Sequence, residues 1–416
     1  MGSQPPLKIR HLNLQTNGVA QNGGDHFEVP FTLQGEVCIP KIVEKKGKTI
    51  FALPESITKR SLQRIPPDCM HFTRCGGCHL RHVEYEDSVR IKESVFKKAL
   101  EKYNSEKKVQ EAIFSLNIVA ALNPFHYRNT ARFYIEDGVL KQHEMLTHEN
   151  FHMKECYTVS QKTFRKAKEI LSLLPETIVE LELKENSRGE HMCIISGTLL
   201  KELPKIPAES VYLYDREKKA FDHLQGVKTI MHSLHIKENT FQFEIGPDSF
   251  FQVNTKMAEE LYTHISKYVY GRGVLYDLFA GTGTIGIIMA KIFPKLAVKS
   301  VEKNREMVEI SQRNAVRNQV KNIEFHQNDV FKMQINEKSD SIIIDPPRKG
   351  MDKNALENLM SLQSSQIIYV SCSPATFLRD MEQMLPQYEL KNVTLFDMIP
   401  YTSHIEVVGI FEKRAL

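Results

Sequence analysis

From about residue 250 onward, short apolar runs alternate with amphipathic stretches of helical spacing, and this alternation limits the fold more than any other feature. The spacing predicts helix 255–269, strand 274–279, helix 284–292, strand 297–302 and helix 304–318. Strand 341–345, helix 352–361, strand 367–371, helix 375–385 and strands near 389–396 and 405–412 complete the series. Strands separated by helix-length connections run parallel and carry helices on both faces. The expected fold class is therefore α/β, a Rossmann-like doubly wound sheet. Ligands bind such sheets at the carboxyl ends of the strands, and each chemically distinctive stretch below falls at such an end.

Of 416 residues, 25% are charged and 41% hydrophobic, too apolar a balance for a disordered chain. The longest apolar runs, Ile342–Ile344 and Ile367–Val370, fall far short of the ~20 residues of a membrane helix. With no apolar export signal after Met1, a cytoplasmic chain without membrane association is expected. A net charge of +4 is compatible with a nucleic-acid partner without requiring one. A monomer is expected.

At ~150 residues per domain the length suggests two or three domains. Residues 1–60 read as short strands, including Val37–Ile39 and Thr49–Phe51, punctuated by Asn17-Gly18, Asn22-Gly23-Gly24 and Gly47. With Lys41, Lys45, Lys46, Lys48, Lys59 and Arg60, they suggest a small β-barrel, and the composition suits a nucleic-acid-binding barrel and a plain solvated one about equally. Residues 61–248 form a central α+β region. Helix 84–102 carries Val89, Ile91, Val95, Phe96 and Leu100 at roughly helical spacing, and candidate strands lie at 112–120, 130–136, 179–184, 191–196 and 210–214. Residues 249–416 form the third unit. Seven cysteines without an export signal argue against disulfides and for metal binding or chemistry.

Asp277-Leu-Phe-Ala-Gly281-Thr-Gly283-Thr-Ile-Gly286 follows a strand and opens a helix. Its glycines let backbone approach a ligand, and the helix N-terminus offers free N–H groups. Glu302 lies 21 residues beyond Gly281 at the end of the next strand, where an acid accepts hydrogen bonds from a ribose. This loop suits NAD and S-adenosylmethionine (SAM) about equally. Two further strand ends separate them. Asp345-Pro-Pro-Arg348-Lys-Gly350 closes one strand with a rigid turn, and Ser371-Cys372-Ser373-Pro374 puts a thiol at a helix N-terminus, a setting that lowers a thiol's pKa and makes it nucleophilic.

Together with Phe250-Phe-Gln252-Val-Asn254 and the stretch Asp397-Met-Ile-Pro-Tyr-Thr-Ser-His404-Ile-Glu406, these pieces resemble the RNA uracil-5 methyltransferase family. Ser373, Ile399 and Ala280 depart from its usual asparagine, phenylalanine and cysteine, and none of the three changes removes a reactive group. The resemblance implies that Cys372 is the nucleophile that adds to carbon 6 of uracil, and that Glu406 is the base that later removes the carbon-5 proton. It implies that Gln252, Phe279, Gly281, Gly283, Thr284, Glu302 and Asp345 contact SAM, with Asp329 reaching the adenine. Arg348 would orient the uracil, and Phe250 or Phe251 would stack on a base.

Residues 7–60 loosely resemble a TRAM domain. Cys69-x5-Cys75-Gly-Gly-Cys78 with Cys156 resembles the family's iron–sulfur site. Four thiolates suit zinc as well; the resemblance implies a [4Fe-4S] cluster. TRAM plus four cysteines implies 23S rRNA as the RNA partner, with tRNA the alternative. An amino-group methyltransferase of DNA would need an aromatic residue where Arg348 stands and would leave Cys372 idle. A non-catalytic RNA-binding iron–sulfur protein would leave both Cys372 and Glu406 idle.

Overall fold

The computed structural model describes residues 5–103, 107–147, 149–200, 202–333 and 339–414. Its largest sheet has eight strands in the order Ile323–Gln327, Leu296–Glu302, Gly273–Leu278, Ser341–Ile344, Gln366–Ser371, Glu406–Lys413, Tyr388–Phe396 and Asn117–Val119. The first five are parallel. Glu406–Lys413 runs antiparallel between Gln366–Ser371 and Tyr388–Phe396. Chain order reverses between Gly273–Leu278 and Ser341–Ile344, which opens the crevice a doubly wound sheet uses for ligands. The central strands are apolar along their whole length because helices cover both faces: Ile342, Ile343 and Ile344 are all fully buried.

The expected helices and strands of this half recur with ends shifted by up to four residues, the largest shift being helix Thr255–Ile265. The predicted strand 112–120 is a correction. Lys107–Ser115 is helical, and only Asn117–Val119 is extended. Val109, Ala112, Ile113 and Leu116 are buried at helical spacing; the apolar density of that stretch had concealed its period.

The boundary at 248 also needs correction. Helices Tyr85–Leu100 and Lys107–Ser115 bury Phe96, Leu100, Val109 and Ala112 in one core with Ile342, Tyr369 and Phe377. Hairpin strands Ile230–Ile236 and Asn239–Ile245 bury Leu234 and Phe243 with Met257 and Leu261. These segments of the supposed central unit complete the large domain. What remains is a seven-stranded sheet with helix Gln161–Leu171 on it.

The N-terminal six-stranded sheet is ordered Leu7–Lys8, Val37–Lys46, Thr49–Lys59, Asp25–Val29, Gly18–Asn22 and His11–Leu12. Its two outermost strands are separated by only two residues, so segment 7–12 joins both edges around a small core of Ile9, Phe27, Val29 and Ile50.

Helix Tyr85–Leu100 is locked to the large domain by a buried ion pair. Lys92 Nζ donates to Asp397 Oδ1 at 2.5 Å and to the carbonyls of Ile399 and His404 at 3.1 Å. The Tyr85 hydroxyl donates to Asp397 Oδ2 at 2.8 Å. Removing one member of a buried, hydrogen-bonded pair strands the other charge, at about 3–5 kcal/mol. Lys92→Met is expected to lower the unfolding free energy by about that amount in chemical denaturation; a loss under about 1 kcal/mol, the level of an exposed pair, would contradict this role.

Candidate active site

The glycine loop is built by close packing. Gly283 caps helix Thr284–Ile292 with φ 78°, and a side chain there would meet Ser311 at 2.8 Å. A Cβ on Gly286 would lie 2.5 Å from Ser300 Oγ and 2.7 Å from Asp277 Oδ2. That space is instead closed by hydrogen bonds: Gly286 N–H and Ser300 Oγ donate to Asp277 Oδ2 at 2.9 and 3.1 Å. Glu302 ties the loop to the neighbouring strand. Its Oε2 accepts from Gly281 N–H at 2.9 Å and its Oε1 from Asn304 N–H at 2.7 Å. Phe279 adopts φ 63°, a region non-glycine residues seldom occupy and one that concentrates at functional turns.

A cavity of about 700 Å³ opens at these strand ends. It is lined by Phe250, Gln252, Phe279, Gly281, Thr284, Glu302, Asp345, Arg348, Cys372 and Glu406, so the structure gathers almost every expected site residue in one place. Gly283 caps the adjoining helix. Asp329 is not among the lining residues; its carboxylate pairs with Lys303 at 2.9 Å. Phe250 is 72% exposed at the cavity's edge, whereas Phe251 packs on His232, with ring centroids 4.7 Å apart. Of the two aromatics, Phe250 is the one with a free face.

Strand register brings Cys372 and Glu406 together. Ser371 pairs with Val407 across antiparallel strands, so the next pair along sets Cys372 opposite Glu406. The environment is dry and acidic. Burial, and then the Glu406 and Asp345 carboxylates, push the Cys372 thiol up to about 11, while Arg348 pulls it down. This reverses the lowered value expected from a helix N-terminus: burial of the thiol, reinforced by the two acidic neighbours, outweighs a terminal half-charge. Burial raises Asp345 to about 7, with Asp277 adding to it, and Asp277 itself is raised to about 7 by burial. Burial, then Asp345, hold Glu406 well above the ordinary carboxylate range. Its Oε1 is buried and meets no hydrogen-bond partner among the described residues. His404, which also lines the cavity, is lowered to about 4, by burial first and then by Arg348, Lys92 and Arg128, and so stands neutral there.

A second cavity, of about 270 Å³, is lined by Cys69, Cys75, Cys78 and Cys156 together with Arg81 and Arg128. Among the described residues, no three His, Cys, Asp or Glu side chains converge closely enough to hold a single metal ion. Cys38 and Cys193 are buried in the apolar cores of the six-stranded and seven-stranded sheets.

Residues 210–415 match the family described as tRNA (uracil-5-)-methyltransferase. The chain is similar over nearly its full length to an uncharacterized RNA methyltransferase of Staphylococcus aureus (strain COL), 28% identical over 97% of this chain and 96% of that one. A second, from Listeria innocua, is 25% identical over 99% and 98%. Among solved structures, the Pyrococcus abyssi tRNA (uracil-54, C5)-methyltransferase in complex with S-adenosyl-L-homocysteine has the same fold, with a TM-score of 0.76. It is 24% identical, and the likeness covers 98% of this chain and 100% of that one. The chain is similar to the tRNA (uracil-5-)-methyltransferase family over its C-terminal half, residues 210–415. It is a SAM-dependent RNA methyltransferase with the α/β fold of such enzymes.

Two residues that shape the family's site escaped the sequence reading. Lys92 and Tyr85 fix Asp397, at the start of the loop that ends in Glu406. The available signal was spacing: Lys92 stands three residues after Val89 and four before Phe96, on the buried face of its helix.

The carboxylates' effect on the thiol can be measured. Replacing Glu406 with glutamine removes a carboxyl group that, once ionised at alkaline pH, opposes thiolate formation, so the Cys372 pKa should fall. Iodoacetamide labelling of the Cys372 peptide at pH 9, followed by mass spectrometry, is expected to be faster in Glu406→Gln than in the unaltered protein. Equal or slower labelling would mean that the two groups do not interact.

Proposed function

We propose that this enzyme methylates carbon 5 of a uridine in RNA through a covalent cysteine–uracil adduct, with Cys372 as nucleophile and Glu406 as base. The observation that carries this reading is the strand register that sets a half-buried thiol opposite a buried carboxylate with a free oxygen, beside the glycine loop. Carbon 5 of uracil is a weak nucleophile. Addition of the Cys372 thiolate to carbon 6 makes the ring an enolate with electron density at carbon 5. That carbon takes the methyl group, which SAM supplies when bound. Glu406 then removes the carbon-5 proton, the ring electrons return, and the C–S bond breaks.

The cavity's carboxylates suit a cationic cofactor. Glu302 stands where it would accept ribose hydroxyls, and Gln252, Phe279, Gly281, Gly283, Thr284 and Asp345 would frame the rest. Asp329, paired with Lys303, would reach an adenine only by exchanging that partner. Phe250 would stack on a base, an interaction worth about 1–3 kcal/mol, and Arg348 would orient the uracil edge. The target uridine has to leave its stack, at a cost of a few kcal/mol, which favours a loop in folded RNA. The N-terminal sheet, read as a TRAM-like barrel, would grip flanking nucleotides.

The four-cysteine cavity fits a [4Fe-4S] cluster better than zinc. Thiolates bound ~2.3 Å from one tetrahedral zinc lie about 3.8 Å apart, and these side chains line a cavity without converging on one point. Cys69, Cys75, Cys78 and Cys156 would hold its four corners and cross-link the segments that carry them. The resemblance favours 23S rRNA as substrate. The likeness in fold to a tRNA enzyme, over 98% of this chain, supports tRNA as the alternative, because the N-terminal sheet then no longer singles out rRNA.

Loss of the base should stall the last step. Glu406→Gln is expected to accumulate a methylated protein–RNA adduct stable on denaturing gels, because slowing elimination about 100-fold makes the intermediate the dominant form. Full turnover without adduct would remove Glu406 from this role. Protein purified without oxygen is expected to be brown, with about four irons and four sulfides per chain; stoichiometric zinc without iron would overturn the cluster.

A further inference from the structure

The loop 397–404 leads directly into Glu406, and its backbone carbonyls are taken up by donors from outside the loop. Asn254 Nδ2 donates to Met398 O at 3.2 Å, Lys92 Nζ to Ile399 O and His404 O, and the Tyr127 hydroxyl to Pro400 O at 3.1 Å. At its centre, Tyr401 sits at φ 61°, and its carbonyl accepts two N–H groups, from His79 at 2.8 Å and Leu80 at 3.0 Å. His79 Nδ1 accepts from Ser403 N–H at 3.3 Å. The Arg81 guanidinium lies over the Tyr401 ring at 4.6 Å, with the rings of Phe125 and Tyr157 at 5.5 and 5.7 Å. Arg81 Nη1 donates to both carboxylate oxygens of Asp68 at 2.9 Å.

Residues 79–81 directly follow Cys78, and Arg81 shares the wall of the four-cysteine cavity. The same short segment therefore closes one cavity and braces the loop that enters the other.

We propose that His79–Arg81 is a brace that positions the base: by holding Tyr401 it fixes the reach of Glu406 toward the carbon-5 proton, so the cysteine segment acts on the step that releases product. Arg81 and His79 are positioning residues, since neither lines the reaction cavity. The proposal rests on the reading of Glu406 as the base and adds to it the device that aims the base. A displacement of about 1 Å at a reacting group can cost on the order of 100-fold in rate, so loosening the loop should slow elimination more than attack or cofactor binding.

The test uses two full-length variants. Tyr401→Leu removes the ring beneath the guanidinium while keeping the carbonyl that His79 and Leu80 hold. Arg81→Lys keeps the charge and removes the flat stacking surface. Single-turnover assays with RNA and labelled SAM would follow methyl incorporation and the release of free methylated RNA separately. Hydrogen exchange would report on the amides of 401–406.

The expected result is a release rate down by about 10-fold or more, methyl incorporation within about twofold of the unaltered enzyme, trapped adduct, and faster exchange confined to 401–406. Equal loss in both steps, or unchanged release with faster exchange, would overturn the brace. If Tyr401→Leu does not fold, Arg81→Lys decides by the same two rates. Glu406→Gln run alongside separates the two ideas. Adduct there but none in the brace variants defeats the brace alone, whereas full turnover there defeats the reading of the base beneath it.

Discussion

The active site depends on one insertion. Strand Glu406–Lys413 enters the sheet antiparallel between Gln366–Ser371 and Tyr388–Phe396, and its register places Glu406 level with Cys372 and beside Phe396. Side chains alternate along a strand, so a slip of one residue would turn Glu406 to the opposite face and bring Val407 to the thiol. The register is fixed on both sides by apolar burial: Val407, Val408, Ile410 and Phe411 are essentially inaccessible to solvent. The same core that stabilises the sheet therefore sets the separation of Cys372 and Glu406, the two groups of the proposed chemistry.

The site is costly to build. Asp277, Asp345 and Glu406 are brought out of water at neighbouring strand ends, and burial alone drives each toward its neutral form. Asp277 recovers part of that cost through Ser300 and the Gly286 N–H. Glu406 keeps one oxygen without a donor among the described residues, which suits the proposed role of taking a proton from a substrate. An acidic cavity also favours a positively charged cofactor, and a bound sulfonium would offset the carboxylates that hold the Cys372 thiol up. Cofactor binding would then help form the nucleophile. Elsewhere the fold neutralises its buried acid completely: Asp397 has Lys92 and Tyr85, and it serves as scaffold.

Much of this was legible in the sequence because it is written locally. The strand–glycine–helix turn at 277–286, the Pro-Pro strand end at 345–347 and the thiol before Pro374 each declare a strand terminus within a few residues. All three converge on one cavity. Long-range features were less legible. The helix at 107–115 read as a strand because its apolar residues are dense. The domain boundary was misplaced because Tyr85–Leu100 reaches back over 300 residues of sequence to Asp397. The upward direction of the Cys372 shift is not legible in the sequence, because a helix N-terminus is visible there while the burial of the thiol, and two carboxylates arriving from other strands, are not.

The covalent route from Cys372 is the central claim, and RNA containing 5-fluorouridine tests it most directly. A fluorine at carbon 5 leaves the base no proton to remove, so the unaltered enzyme should stop after methyl transfer. Incubation with that RNA and SAM is expected to give a SAM-dependent protein–RNA complex that survives denaturation, with the nucleotide mapped by mass spectrometry to the Cys372 peptide. No complex, or one attached through another residue, would contradict the account.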